Sequence, residues 1–415
     1  MKLLAYIDPG TGSMLFTVLI GILGTGAYLL RNVFSRLRFL ATGGTKSKTA
    51  EEAGIPFAIF TDSKRYWNLF KPICDEFERR GLAAEYLTAS PDDPALQEKY
   101  EHVKCEFIGE GNRAFSRLNF LKADILLSTT PGLEVYQWKR SKDVKWYVHI
   151  LHMVNDPTSY RMFGLDYYDA VLFSGEYQIR QRRELDRLRG LPEKDLRLVG
   201  LPYLDEMKRR SEEAGPMPPH GTTVLLAPTW GKSGILDRFG SEIIEALLKT
   251  GYHVIVRPHP QSFVSEKELM ERLMTAWPES DRLEWNRDND NFEVLRRSDI
   301  MISDFSGVIF DFVLVFGKPV IYADTSFDKS PYDAAWLDED LWTLQVLPKI
   351  GRPLKQEEFG SLKAKIDEML ASPQVQDAID EARKETWSHI GESVRLTVDY
   401  LEEKQKELSG NGEEK

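Results

Sequence analysis

Three short stretches of this sequence place imidazole, hydroxyl and cationic groups beside chain reversals, where such groups can meet a substrate. The longest is Ser303-Asp304-Phe305-Ser306-Gly307-Val308-Ile309-Phe310-Asp311-Phe312, which overlaps the end of the apolar run DIMIS (299–303). A buried strand that ends in small residues and then enters an apolar helix brings a hydroxyl and free backbone N–H groups to one point. That arrangement suits a diphosphate, because a helix start offers unpaired donors and glycine permits close approach. The plainer reading is that Ser303 or Ser306 only caps the helix. Upstream, Arg257-Pro258-His259-Pro260 closes the run HVIVR (253–257). The two prolines stop a strand and fix the backbone around His259, so Arg257 and His259 can hold phosphate oxygens and steady a leaving group. A structural histidine is the competing reading. Thr229-Trp230-Gly231-Lys232 follows TVLLAP (223–228) in the same way. Lys232 can reach phosphate there, and Trp230 either packs a nucleobase or fills a cleft.

A fourth stretch, His149-Ile150-Leu151-His152-Met153, lies earlier in the chain. In an extended strand its two histidines point to opposite faces, so one looks into a cleft while the other packs. His152, at the strand end, is the candidate general base for an acceptor hydroxyl, with an ordinary pKa of about 6.5. Its alternative is a hydrogen-bonded structural role. Asp288-Asn289-Asp290 has the look of a metal motif, but its polar setting reads as a turn and N-cap. Asp338-Glu339-Asp340 reads as a solvated charge run. There is no Rossmann glycine fingerprint and no P-loop lysine motif, and neither a metal nor a cofactor is expected.

These stretches need strands to carry them. Candidate strands are 55–60, 84–88, 124–128, 146–151, 170–174 and 196–200, then a second series at 223–228, 253–257, 299–303 and 319–323. Amphipathic helical segments lie between them. Short apolar runs alternating with helices predict parallel sheets covered on both faces. The fold class is therefore α/β, with two doubly wound Rossmann-like domains. The Pro- and Gly-rich stretch 211–221 separates an acceptor domain (55–210) from a nucleotide-donor domain (222–372), and a charged helical tail follows (373–415). Ligands in such folds bind at the carboxyl ends of the strands, here in the cleft between the domains.

The chain has 415 residues, of which 42% are hydrophobic and 29% charged, enough apolar mass for two cores. Its net charge of −11 argues against nucleic acid as a partner. The two cysteines, Cys74 and Cys105, exclude a disulfide framework and have no zinc-site spacing. Met14 to Leu30 is an uncharged run of 17 residues. It predicts a single membrane-spanning helix of roughly 26 Å within an anchor over 1–40, followed by a small, polar linker over 41–54. Arg31, Arg36, Arg38, Lys46 and Lys48 follow it and only Lys2 precedes it. The positive-inside rule then places the bulk of the chain on the cytoplasmic side of an inner membrane. A cleaved signal peptide and a buried soluble helix are the competing readings.

Taken in order, Ala227-Pro228-Thr229-Trp230, Arg257-Pro258-His259-Pro260 and Ser303 to Phe312 resemble the CDP-glycerol:poly(glycerophosphate) glycerophosphotransferases of teichoic-acid synthesis. The likeness is specific over about 220–325, weaker over 145–205, and absent before about 140. It implies a glycosyltransferase-B fold and transfer of glycerol phosphate from CDP-glycerol to a lipid-linked acceptor hydroxyl, with release of CMP. It implies that His152 is the base and that His259, helped by Arg257, stabilises the donor phosphates. Ser306 and the Gly307 amide would hold the diphosphate, Ser303, Thr229, Trp230 and Lys232 would border the donor, and Asp311 would contact ribose or cap a helix. The sequence departs from the family where Trp-His-Gly becomes Leu151-His152-Met153, where the second serine becomes Gly307, and where the arginine after Thr-Trp becomes Gly231. Those departures keep two alternatives open: another nucleotide-sugar transferase of this fold, and a non-catalytic nucleotide-binding membrane protein.

Overall fold

The computed structural model describes residues 54–410 except 233, 324–327 and 373. The anchor 1–40 with its apolar run 14–30, all but the last residue of the linker 41–54, and the end of the tail at 411–415 lie outside the described residues. Among the described residues, no helix is long and apolar enough to cross a membrane.

Two parallel sheets organise the chain. The first contains β1 (Ile55–Thr61), β2 (Ala84–Thr88), β3 (Val103–Phe107), β4 (Lys122–Ser128), β5 (Asp143–Ile150), β6 (Ala170–Phe173) and β7 (Asp195–Leu198). Its order is β3-β2-β1-β4-β5-β6-β7. The second contains β8 (Thr223–Leu226), β9 (His253–Val256), β10 (Leu283–Trp285), β11 (Ile300–Ser303), β12 (Val320–Ala323) and β13 (Gly351–Leu354), in the order β10-β9-β8-β11-β12-β13. Both orders reverse direction once, between β1 and β4 and between β8 and β11. These are the switch points where doubly wound folds open a crevice.

The central strands are buried on both faces, which is why they read as apolar runs. In the first sheet Ile59, Ile125, Leu127 and Val148 pack with Phe70, Ile73 and Phe77 of helix α1 (Trp67–Arg80). Phe60, Leu126, Tyr147 and Val171 face the other way, around Trp138 and Leu165. Three strands have no counterpart among the sequence-derived candidates: β3, β10 and β13. All three are sheet edges. An edge strand needs little apolar surface and tolerates a missing donor, so VKCEF, LEW and the proline-bearing GRPL carry no strong strand pattern.

Helix α2 (Pro202–Ala214) runs past the expected boundary at 210. Helices α3 (Trp342–Ile350), α4 (Gln374–Thr386) and α5 (Ser393–Gly410) are among those that follow. The C-terminal stretch is shared between the domains. Helix α4 packs on α3, whereas α5 returns to the first domain and lies on α1 and β4. There Arg80 pairs with Asp399 at 2.7 Å and Glu402 at 2.5 Å, and Trp146 Nε1 donates to the Tyr400 hydroxyl at 3.2 Å.

Candidate active site

Carboxyl ends of strands from both sheets face one cleft of about 280 Å³. The segment after β1 contributes Arg65 and Tyr66, and the segment after β5 contributes His152 and Met153. The second domain contributes Arg257 and His259 after β9, and Ser306, Gly307 and Asp311 after β11. The sequence-derived histidines, Arg257, Ser306, Gly307 and Asp311 thus meet in one place.

His152 is oriented from behind. Thr129, just beyond β4, donates its hydroxyl hydrogen to the Ile150 carbonyl at 2.7 Å. The same hydroxyl oxygen lies 2.9 Å from His152 Nδ1. With its one hydrogen spent, that oxygen can only accept, so Nδ1 carries the proton and Nε2 keeps a lone pair. The Tyr66 ring covers the imidazole at 4.6 Å. Burial, and secondarily the Arg65 charge, lower the His152 pKa to about 4, so the ring is neutral near pH 7. His149, one side-chain reversal earlier, is fully buried against Tyr160 and Tyr168.

His259 has the opposite polarity. The backbone N–H of Gln261 donates to His259 Nδ1 at 3.1 Å, so Nδ1 accepts and Nε2 bears the hydrogen. Burial, then Arg65 and Arg257, lower its pKa to about 4. Arg257 is braced by Asn286 and by the Asp288 carbonyl at 2.8 Å. The Asp288–Asp290 stretch therefore backs the site, and Asp290 Oδ1 accepts from the Phe292 N–H at 3.0 Å where the next helix begins.

The turn after β11 is held by a buried carboxylate. Asp304 accepts from the backbone N–H groups of Phe305, Thr229 and Ile235, at 2.9, 3.0 and 3.2 Å. Burial raises its pKa to about 6 against those donors. Asp304 thereby fixes the β8 and β11 turns together and leaves Ser306 and Gly307 on the cleft wall. Ser303 is elsewhere: it is fully buried and donates to the Ala227 carbonyl at 2.6 Å. Its hydroxyl ties β11 to β8 and does not reach the donor region. Thr229, Trp230 and Lys232 also lie outside the cleft lining. The Thr229 amide serves the Asp304 clamp, Lys232 is exposed, and Trp230 is 42% exposed with its ring 6.4 Å from His259. Asp311 opens a π-helical turn (Asp311–Val315) and accepts from Asn291 Nδ2 and the Tyr203 hydroxyl, each at 3.3 Å. That is not a helix cap, and burial raises its pKa to about 7.

Residues 168–336 match the sequence model described as CDP-Glycerol:Poly(glycerophosphate) glycerophosphotransferase. That family is a transferase family. The match spans the motifs around Thr229, His259 and Ser306, whereas His152 lies before it. Among solved structures, the wall teichoic acid polymerase TagF with CDPG is similar at 15% identity and a TM-score of 0.56, covering 91% of this chain and 98% of that chain. A putative UDP-N-acetylglucosamine 2-epimerase from Listeria monocytogenes is similar at 12% identity and a TM-score of 0.57, covering 86% and 98%. The UDP-GlcNAc 2-epimerase from Neisseria meningitidis bound to UDP-GlcNAc gives 12% and 0.54, covering 85% and 100%. At such identities these likenesses establish the fold. No curated protein matches the chain.

Two departures from the glycerophosphotransferase pattern meet in space. A Cβ on Gly307 would lie 2.9 Å from Asn155 Oδ1 and 3.5 Å from Met153 Sδ. The φ of Gly307 is an ordinary −58°, so the requirement is room and not backbone conformation. Met153 and the neighbouring Asn155 fill the volume that the second serine of the family pattern would take. Sequence reasoning also missed Arg65, Tyr66, Thr129, Tyr203 and Asn291. Tyr203 stands in LPYLD, within the stretch that resembles the family, which is the one local signal available.

Proposed function

We propose that this protein transfers a glycerol phosphate, or a closely related polyol phosphate, from a CDP-linked donor to an acceptor hydroxyl. The observation that carries this reading is the opposed polarity of two neutral histidines in one cleft. His152 Nε2 offers a lone pair from the first domain, and His259 Nε2–H offers a donor from the second. The acceptor oxygen attacks the β-phosphorus of the donor while its proton passes to His152 Nε2. The bond from that phosphorus to the bridging oxygen breaks, and CMP leaves with the bridging oxygen. His259 Nε2–H donates a hydrogen bond to the departing phosphate, and Ser306 with the Gly307 amide steadies it. His152 then releases its proton to solvent. Positioning and charge stabilisation supply most of the catalysis in such transfers.

A thermal-shift series on the chain with CDP, CMP, UDP and GDP tests the donor. A ligand at 100 times its dissociation constant adds about 2.7 kcal/mol of stability. The expected result is stabilisation by CDP that is reduced in His259→Ala, followed by CMP release from CDP-glycerol that is lost in His152→Ala. Stabilisation by UDP or GDP in place of CDP would replace this reading with a sugar transfer on the same fold.

The run Met14–Leu30 supports a further part of the proposal: a single-pass anchor in the inner membrane with the catalytic domains in the cytoplasm. A lipid-linked acceptor hydroxyl would then share the surface to which the cleft is tethered. Co-sedimentation with anionic vesicles should retain the full chain and release one starting at Thr45. Equal sedimentation of the two chains would remove the anchor.

A further inference from the structure

We propose that Arg65 is a catalytic residue that grips the phosphoryl group in flight and commits the cleft to phosphoryl transfer in preference to glycosyl transfer. This inference rests on the diphosphate-donor reading above.

Arg65 sits in the turn after β1, at the switch point of the first sheet, and lines the cleft with His152, His259, Ser306 and Gly307. Its stem is fixed: Nε donates to Ser63 Oγ at 3.1 Å, and Ser63 also accepts from the Arg65 backbone N–H at 3.4 Å. Among the described residues no carboxylate lies within ion-pair distance of it, the Asp62 carboxylate beside it only feeling its charge, and Arg65 is exposed where it lines the cleft. Arg257, the cation that the motifs had suggested, is differently placed. Both of its terminal nitrogens already donate, to Asn286 and to the Asp288 carbonyl. Arg65 therefore keeps both terminal nitrogens free, whereas each terminal nitrogen of Arg257 has already spent a hydrogen. Its field reaches both histidines, since its charge adds to burial in keeping each of them neutral.

The chemistry separates two reaction types. In phosphoryl transfer, negative charge on the equatorial oxygens must be held while one P–O bond forms and another breaks. A guanidinium beside the attacking base meets that need, and its planar fork matches phosphate oxygens. In glycosyl transfer the group in flight resembles an oxocarbenium ion. A fixed cation on the attack side would then oppose the reaction. The β-phosphate of the donor is the group placed between His152 and His259, so it is the ligand assigned to Arg65.

Titration calorimetry with CDP and with CMP, on the wild type, Arg65→Ala and Arg65→Lys, tests the assignment without acceptor or turnover. Wild type should prefer CDP, and Arg65→Ala should lose about tenfold in CDP affinity with CMP affinity unchanged, the size expected for a charge-assisted hydrogen bond. Arg65→Lys should fall between them. Turnover of CDP-glycerol should drop about 100-fold or more in Arg65→Ala, mainly in kcat. An unchanged CDP-to-CMP ratio in a folded Arg65→Ala protein would overturn the assignment alone. If only the KM for a phosphate-bearing acceptor rose, Arg65 would be reading the acceptor, which also overturns it. Wild type binding neither nucleotide, nor UDP or GDP, would sink the donor-site reading and this inference with it.

Discussion

At the scale of single residues, the proposed catalysis depends on where two protons sit. The Thr129 hydroxyl, already bonded to the Ile150 carbonyl, forces the Nδ1–H form on His152, while the Gln261 amide forces the Nε2–H form on His259. In the free protein labelled with ¹⁵N-histidine, the ring shifts of these two residues should report opposite tautomers and stay neutral from pH 5.5 to 7.5. A midpoint near the ordinary histidine value for either would contradict the lowering to about 4. Stability is a poorer readout. Between pH 4 and 6.5 the unfolded chain protonates these histidines and the folded chain does not, so they favour folding as pH rises. Asp304 and Asp311, with pKa values raised to about 6 and about 7, bind protons in the folded state first and favour folding as pH falls. The two pairs oppose each other. Thr129→Val should lower kcat by about 10- to 100-fold, within the usual worth of a general base, without changing CDP affinity. Thr129→Ser should restore it, and loss of CDP binding in the valine variant would show a merely structural role.

At the scale of elements, the segment after β5 joins the two halves of the site. Gln178 Nε2 holds it through the Val154 and Asn155 carbonyls, both at 3.1 Å. Its Asn155 amide abuts Gly307, so the loop that carries His152 rests on the turn that would carry the diphosphate. Gly307→Ser should push this loop away and lower kcat more than it weakens nucleotide binding. Adding Asn155→Ala should recover part of the loss, with a coupling of about 0.5–3 kcal/mol in the double-mutant cycle. Independent effects of the two substitutions would show that the loop and the turn do not press on each other.

At the scale of the whole molecule, the same segment closes the domains together. The buried Asp156 carboxylate caps helix α3 of the second domain, accepting from the Trp342 and Thr343 N–H groups at 2.7 and 3.0 Å and from Thr343 Oγ1 at 2.7 Å. Gln181 Nε2 donates to it from the first domain at 2.6 Å. Asp156→Ala should cost about 2–4 kcal/mol, because it removes a helix cap and strands buried donors. Denaturant unfolding followed separately by tryptophans of each domain should then lose coincidence. Helix α5, returning onto α1, is another such link.

The sequence by itself determined the paired parallel sheets, the positions of their central strands along the chain, and three of the strand-end motifs that line the cleft. Central strands are buried on both faces, so their apolar runs stand out. Pro258, Pro260 and Gly307 mark strand ends by backbone chemistry that is local. Edge strands β3, β10 and β13 carry no such mark, because one open side relaxes their composition. Tertiary structure alone decided that Ser303 is spent on a backbone carbonyl, that Arg65 lines the cleft, and that Thr129, Asn155 and Asp156 brace the segments around it. Each of these is an ordinary polar residue in an ordinary turn. What it does is fixed by a partner brought from a distant part of the chain, and a contact of that kind leaves no local pattern in the sequence.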